Sequence, residues 1–349
     1  MRILYVMPGF DEGGTEIHVL NLIRGMTERG HEVTLASSGG RLEHKLPPSA
    51  RILHMPADKK NPAAIIACAV RLARLNAKYH WDIIHAHSRV PAWISWVMSG
   101  MTGVPWVVTA HALYSLNLGI IPLRHADGAI CISQAVKSHL VNHLPSDTVI
   151  IPNGIIPPSL RHEDFPHEGT RFLAVGRLTH LKGLDVALRA SAGLKGYEWT
   201  LDVLGEGGER GNLEGLAEEL GISGRVRFLG DKDRPEVEEY MARSSCLIFP
   251  SYSEGMGLVV LEALSVGLPV IASDLEALRE FAEGDLVPAG DVGKWREAIE
   301  RFIVSGEAGR FDAGKIITVD EMTGRVEGYY RKKIGDPIPE TACNFHTTA

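Results

Sequence analysis

A chain of 349 residues is too long for one ordinary hydrophobic core and suits two domains. Its 45% apolar and 7% aromatic content fits a soluble α/β protein, and every apolar run is interrupted before the ~18 residues of a membrane span. The net charge of -7 is unevenly shared, with 15 Lys+Arg against 12 Asp+Glu in residues 1–165 and 21 against 31 in the remainder. The mild basic excess of the first half suits a polyphosphate acceptor or an anionic membrane face, though ordinary surface scatter gives the same number. No nucleic-acid partner is expected.

The N-terminus enters a buried strand at Ile3–Met7 without the cleavage region of a signal peptide, so a cytoplasmic location is expected. Cys68, Cys131, Cys246 and Cys343 are widely spaced, which argues against a zinc site or a disulfide framework. After the strand comes a glycine-rich loop, Pro8–Thr15 with Gly13 and Gly14, then a periodic helix over Glu16–Arg29 and a strand at Val33–Ala36. This opens a doubly wound sheet, and the absence of G-x-G-x-x-G argues against a nicotinamide enzyme. A strand at Arg51–Met55 precedes a helix over about 62–79, whose Arg71, Arg74 and Lys78, with Lys59 and Lys60 ahead of it, either lie on anionic lipid or are simply solvated.

Strands ending near His85–Arg89 and at His111 bring His87, Arg89 and His111 toward a ligand crevice, because strand ends line that crevice in open α/β sheets. The histidines lack a carboxylate or cysteine at ligand spacing, so no metal site is expected. Strands at Ala129–Ser133 and Thr148–Ile151 complete the first sheet, Asn153-Gly154 forms a turn, and the Pro- and His-rich segment 155–169 is the linker.

The second half starts with a strand ending at Gly176, followed by Arg177, Lys182 and Gly183 and a helix over Leu184–Leu194. Two cations at a strand end and a helix entrance suit a diphosphate, Arg as a planar fork and Lys as a point charge. The β-loop-α rhythm continues through Gly230 to Asp231-Lys232-Asp233, which is read as a loop and helix start rather than a metal-binding D-x-D. Between the apolar runs Cys246–Phe249 and Pro269–Ala272 lies Glu254-Gly255-Met256-Gly257-Leu258, with Glu262 eight residues after Glu254. Glu254 is expected to end the strand and Glu262 to lie about two turns into a helix. The helix N-terminus is an anion site, while the carboxylates suit hydroxyls; a ligand with both phosphates and hydroxyls is a nucleotide sugar. A short helix at Leu278–Phe281, a last strand at Asp285–Pro288, closing helices at Trp295–Ile303 and Met322–Lys333, and a frayed tail over 334–349 complete the chain.

With these pieces in place the chain resembles the retaining glycosyltransferases of family 4 (glycosyltransferase group 1). The resemblance is strongest from Phe172 to Glu280, and its most specific element is the E-x7-E pattern of Glu254 and Glu262. It implies a GT-B fold, two Rossmann-like parallel-sheet domains facing each other across a cleft: 1–165 for the acceptor, 166–320 for the donor, with 321–333 returning toward the first. It also implies residue roles. Arg177 and Lys182 would hold the donor diphosphate, Glu262 the ribose hydroxyls, Glu254 and the backbone of Gly255–Leu258 the sugar and phosphates. Gly14 and Gly176 would approach the phosphates, His111 the sugar, and Gly230, Asp231 and Lys232 the base. Catalysis would rest on His111, Arg177, Lys182 and Glu254, and acceptor contacts on Thr15, His87 and Arg89.

The implied reaction moves a hexose or N-acetylhexosamine from a nucleoside-diphosphate sugar, UDP favoured over GDP, to a glycan or a polyprenyl- or other lipid-linked acceptor. The expected setting is cell-surface polysaccharide synthesis with peripheral contact on the inner membrane face, and no cofactor or metal. A small soluble acceptor and a nucleotide-sugar epimerase of the same fold are the enzyme alternatives; a non-catalytic nucleotide-binding module is the other class. Ser273-Asp274-Leu275-Glu276, ahead of Glu280, departs from the family's usual Gly-Gly pair before a second Glu, so no donor contact is carried over to that loop.

Overall fold

Short runs of Ile, Leu, Val and Ala buried on both faces form parallel strands, and the amphipathic segments between them form the covering helices. The computed structural model describes residues 1–11, 13–166 and 169–336. Its strands are β1 (Arg2–Val6), β2 (Glu32–Ser37), β3 (Arg51–His54), β4 (Ile83–His87), β5 (Trp106–Ala110), β6 (Gly128–Cys131), β7 (Thr148–Ile150), β8 (Thr170–Val175), β9 (Trp199–Leu204), β10 (Val226–Gly230), β11 (Cys246–Phe249) and β12 (Val270–Ala272). Its helices are α1 (Gly14–Glu28), α2 (Pro62–Tyr79), α3 (Arg89–Thr102), α4 (Gln134–Leu140), α5 (Leu184–Ala192), α6 (Arg210–Glu219), α7 (Arg234–Arg243), α8 (Leu258–Val266), α9 (Glu276–Arg279), α10 (Val292–Ser305) and α11 (Val319–Ile334).

The chain forms two units. The first comprises Met1–Gly154 with the C-terminal segment from Ile317, and the second Ile155–Ile316. The first holds a seven-stranded sheet in the order β3-β2-β1-β4-β5-β6-β7, and the second a five-stranded sheet in the order β10-β9-β8-β11-β12. All strand pairs are parallel. In each sheet the winding direction reverses once, between β1 and β4 and between β8 and β11. The crevice outside the carboxyl ends of those two strands is where open α/β sheets take their ligands.

Alternation along the strands distributes the cores. In β8, Phe172 and Ala174 enter the cluster with Leu188, Trp295 and Phe302, while Leu173 enters the opposite one with Leu247, Val260 and Leu278. In the first unit Ile3 and Tyr5 pack with Leu22 and Ile23 of α1 and with Val326 and Tyr330 of α11. Polar contacts lock α11 there: the Tyr329 hydroxyl donates to the Asp147 carbonyl at 2.8 Å, the Lys333 ammonium pairs with Asp147, and the Arg29 guanidinium pairs with Asp320.

Several boundaries differ from the sequence expectation. The first unit ends at Gly154 rather than 165, because segment 155–166 is held by the second unit. There the Glu238 carboxylate accepts from the Ser159 and Leu160 N–H groups, and Arg234 donates to the Ile156 carbonyl at 2.9 Å. Asp285–Pro288 forms only a single bridge, Val287 to Ser273, rather than a strand. Strand β11 stops at Phe249, so Glu254 lies within a loop, and Glu262 is the fifth residue of α8, one turn in rather than two. Helix α2 buries Cys68, Ala69 and Leu72, and Arg71 donates to the His54 carbonyl at 2.9 Å. Of the tail, residues 337–349, Cys343 included, lie outside the described residues. No described helix is long and apolar enough to cross a membrane.

Candidate functional site

Each unit gathers polar side chains at its own topological switch point. In the second unit the two flanking loops are 176–183, after β8, and 250–257, after β11. Gly183 has φ 60, and a side chain on it would collide with the Pro250 carbonyl, so the two loops approach closely only because that residue is glycine. The approach brings Lys182 and Glu254 together across 72 residues of sequence, with Nζ donating to Oε1 at 2.6 Å. Lys182 also lies over the Phe249 ring, 5.5 Å from its centroid. Gly176, at φ 148, a backbone conformation that residues with side chains rarely adopt, borders the Lys182 stem, and Arg177 is exposed with no ion pair among the described residues.

Gly257 caps α8 in the left-handed region, φ 77, where a larger residue would also meet Leu278. In the nine-residue helix that follows, the Val260 N–H already bonds the Gly257 carbonyl at 2.9 Å, so the N–H groups of Leu258 and Val259 are those left without an intrahelical acceptor. Met256 is buried beneath that loop. Half-buried Glu262 loses enough solvent that its carboxyl is pushed up to about 7, against the lowering influence of Arg234. Gly230 ends β10 with φ 72 and is followed by exposed Asp231. Lys232 pairs with Glu236 at 3.1 Å, and the Asp233 carboxylate accepts from the Glu236 N–H, so Asp233 is the N-cap of α7. Two residues of this unit were given no site role by the sequence reading. Arg234, at the start of α7, acts on Glu262, and buried Ser251 has a hydroxyl without a partner among the described residues, in a cavity of about 10 Å³ that Lys182 also lines. The position of Ser251, immediately after Pro250 at the strand end, was the available signal.

In the first unit the switch point holds imidazoles. His87 ends β4, His111 follows β5, and His18, in the first turns of α1, joins them. His18 was read only as part of a helix; its place beside the apolar Ile17 and Val19 in the first turns of α1 was the available signal. His87 Nδ1 and His111 Nε2 share a hydrogen bond at 2.9 Å, and His18 meets the His111 ring edge-on at 4.8 Å between centroids. His18 and His87 are buried, while His111 keeps part of its surface open. Burial drives the His18 pKa down to about 4 and holds His85, His87 and His111 well below the ordinary imidazole value. One ring nitrogen from each of His18, His87 and His111 lies within 4.8 Å of the others, a spacing that a metal ion accepts. His87 Nδ1 is already engaged by His111, and His87 Nε2 is buried without a partner among the described residues. No carboxylate belongs to the set.

His85, one turn of the pleat before His87, is structural: its Nε2 bonds the Thr109 hydroxyl at 2.7 Å and its Nδ1 the Tyr330 hydroxyl, tying β4 to β5 and α11. Ser88, between His87 and α3, is held at φ 90 and ψ 172, a region nearly reserved for glycine, and such strain clusters at ligand sites. Arg89 opens α3 with its guanidinium 5.4 Å from the Tyr114 ring centroid. Gly14 is the first residue of α1 with open space where a side chain would stand, and Thr15 follows it in the first turn.

Two doubly wound parallel sheets in one chain, each with its polar cluster at the switch point, define the GT-B class. The family profile described as "Glycosyltransferase Family 4" matches residues 12–157, and that described as "Glycosyl transferases group 1" matches 158–310. The chain belongs to this glycosyltransferase family and is a transferase. A D-inositol 3-phosphate glycosyltransferase of Mycobacterium sp. (strain KMS) is 29% identical over 353 residues, covering 85% of this chain and 79% of the relative. A glycosyltransferase structure from Rickettsia africae ESF-5 superposes with TM-score 0.81 at 20% identity, over 96% of this chain and 99% of that one. The Anabaena protein HepE, solved in complex with UDP-glucose, superposes with TM-score 0.72 at 18% identity, over 99% and 98%.

Proposed function

We propose that the protein is a retaining glycosyltransferase that moves a hexose or N-acetylhexosamine from a UDP-sugar to an acceptor hydroxyl. The observation that carries this reading is the convergence of Lys182 and Glu254 at the switch point of the second sheet, between Gly176 and the N-terminus of α8. Breaking a sugar–phosphate bond builds negative charge on the departing diphosphate; Lys182, Arg177 and the α8 N–H groups stabilise it without reorganising. Glu254 then exchanges Lys182 for sugar hydroxyls, and Glu262 accepts from the ribose. Gly255–Leu258, Gly14 and Gly176 meet the phosphates through their backbones, and the segment from Gly230 to Lys232 meets the base. His111 meets the reacting sugar, and Thr15, His87 and Arg89 serve the acceptor side. Retention follows from same-face attack, with the leaving phosphate oxygen taking the hydroxyl proton. The UDP preference is supported by the UDP-glucose complex of the Anabaena neighbour.

For the acceptor, a glycan or lipid-linked oligosaccharide at the membrane face is the family's usual setting. A small phosphorylated polyol has a specific observation behind it, the name of the mycobacterial relative. A thermal-shift panel of UDP, GDP, ADP and their sugar conjugates tests the donor, since a ligand bound only by the folded state raises the melting temperature. UDP and one UDP-sugar are expected to shift the wild type, and Glu262→Ala to lose that shift. If no diphosphate shifts the wild type at saturating concentration, the chain is a non-catalytic module. Transfer assays with inositol phosphates and with lipid-linked glycans on vesicles then separate the acceptors, and the anomeric configuration of the product tests retention.

A further inference from the structure

The pairing of His87 with His111 fixes more than their distance. Both rings are neutral near pH 7, since burial opposes a charge on either, so each carries one N–H. Two arrangements satisfy the 2.9 Å bond between His87 Nδ1 and His111 Nε2. If His111 Nε2 is the donor, the His87 proton must sit on Nε2, which is buried and has no partner among the described residues. If His87 Nδ1 is the donor, its orphaned Nε2 is only a lone pair, and the His111 proton must sit on Nδ1. Orphaned buried N–H groups are rarer than under-satisfied acceptors, so the second arrangement wins.

We propose that His87 is a positioning residue that locks His111 as the Nδ1–H tautomer, making His111 a hydrogen-bond donor to a ligand oxygen and occupying the nitrogen through which it would act as a base. The supports of His87 are rigid. Its ring packs on Tyr5 and His85, with centroids at 5.7 and 4.1 Å, and those two rings also touch each other at 5.6 Å; Thr109 of β5 stands opposite His87 in the sheet register, two residues ahead of His111. His18 closes another side, 5.7 Å from the His87 centroid. Of His87 and His111, His111 is the one that keeps part of its surface open. A hydroxyl or carbonyl oxygen accepts from its Nδ1–H, and the donor sugar supplies such oxygens; that last step rests on the proposed function, whereas the tautomer does not.

Long-range proton–nitrogen spectra of protein labelled in its histidine rings distinguish the two tautomers without substrate. Wild-type His111 is expected as Nδ1–H. His87→Leu removes the lock and moves His111 toward the Nε2–H form, with kcat falling about tenfold or more and the donor KM changing little. His87→Asn, whose amide places an N–H near the former Nδ1, restores both the tautomer and most of the turnover. A wild-type His111 found as Nε2–H overturns the proposal even if neither variant folds. So does one equivalent of zinc bound at His18, His87 and His111 together, since the array is then a metal centre. Loss of nucleotide binding in the second unit bears on the transferase reading alone and leaves the tautomer result standing.

Discussion

The two units repeat one backbone solution and fill it with opposite chemistry. Both sheets reverse direction once, and both place polar groups on the loops flanking the reversal. At the first the groups are neutral imidazoles, stacked and hydrogen-bonded to one another, with their pKa values pushed down. At the second they are a Lys182–Glu254 ion pair, Arg177 with no ion pair among the described residues, and Glu262, whose pKa is pushed up to about 7 so that its charge depends on its surroundings. The topology determines where a ligand binds, and the side chains determine which charges that place tolerates. A charged diphosphate suits the second site; hydroxyl and uncharged oxygens suit the first.

The largest expected effect falls on the ionic side. Lys182→Ala removes a fixed cation from the leaving diphosphate and strands Glu254, so turnover should fall about a hundredfold or more in a transfer assay. A drop of less than threefold breaks the contrast, because the second site would then not depend on its cation.

Acid should separate the units next. For His18 the folded pKa is about 4 against 6.5 when exposed, so the stability it contributes is present above 6.5 and is lost as pH falls toward 4. His85, His87 and His111 shift in the same direction. His18 alone should cost about 2 kcal/mol by pH 5. Melting curves between pH 7.5 and 5, followed by hydrogen exchange in each sheet, should show the first unit weakening first; equal losses in both would erase the distinction.

Glu262 has the opposite sign. Its pKa is raised, so its favourable contribution is present below 4.5 and is lost as pH rises through about 7. Glu262→Gln should therefore raise the stability of the unliganded protein at pH 8 by about 1–3 kcal/mol while weakening UDP binding about tenfold. Calorimetry and thermal melts on the same sample sharpen the comparison, since stability and binding must move in opposite directions.

The smallest effect tests a motif. Asp233→Ala should cost about 1 kcal/mol through the lost cap of α7 and leave nucleotide affinity unchanged. A large loss of affinity would return Asp231-Lys232-Asp233 to the ligand site.

The amino-acid sequence by itself determined the rhythm of strands and helices, the division into two sheets and the family, because burial on both faces and glycine at turn positions are local demands that leave local marks. It also singled out Lys182, Glu254 and Glu262, each beside a glycine-rich loop or in the helix that follows one. Only the tertiary structure decided which groups meet. Lys182 and Glu254 are 72 residues apart and touch because β8 and β11 are neighbours in the sheet. His18 is one of many helix residues until α1 packs beside β4 and β5, and Ser251 is an ordinary serine until its hydroxyl is buried. The boundary at Gly154 was equally invisible, since Glu238 and Arg234, which hold segment 155–166, come some eighty residues later. Desolvation, which sets the pKa values of His18 and Glu262, is a property of everything packed around a group, and no window of neighbouring residues contains it.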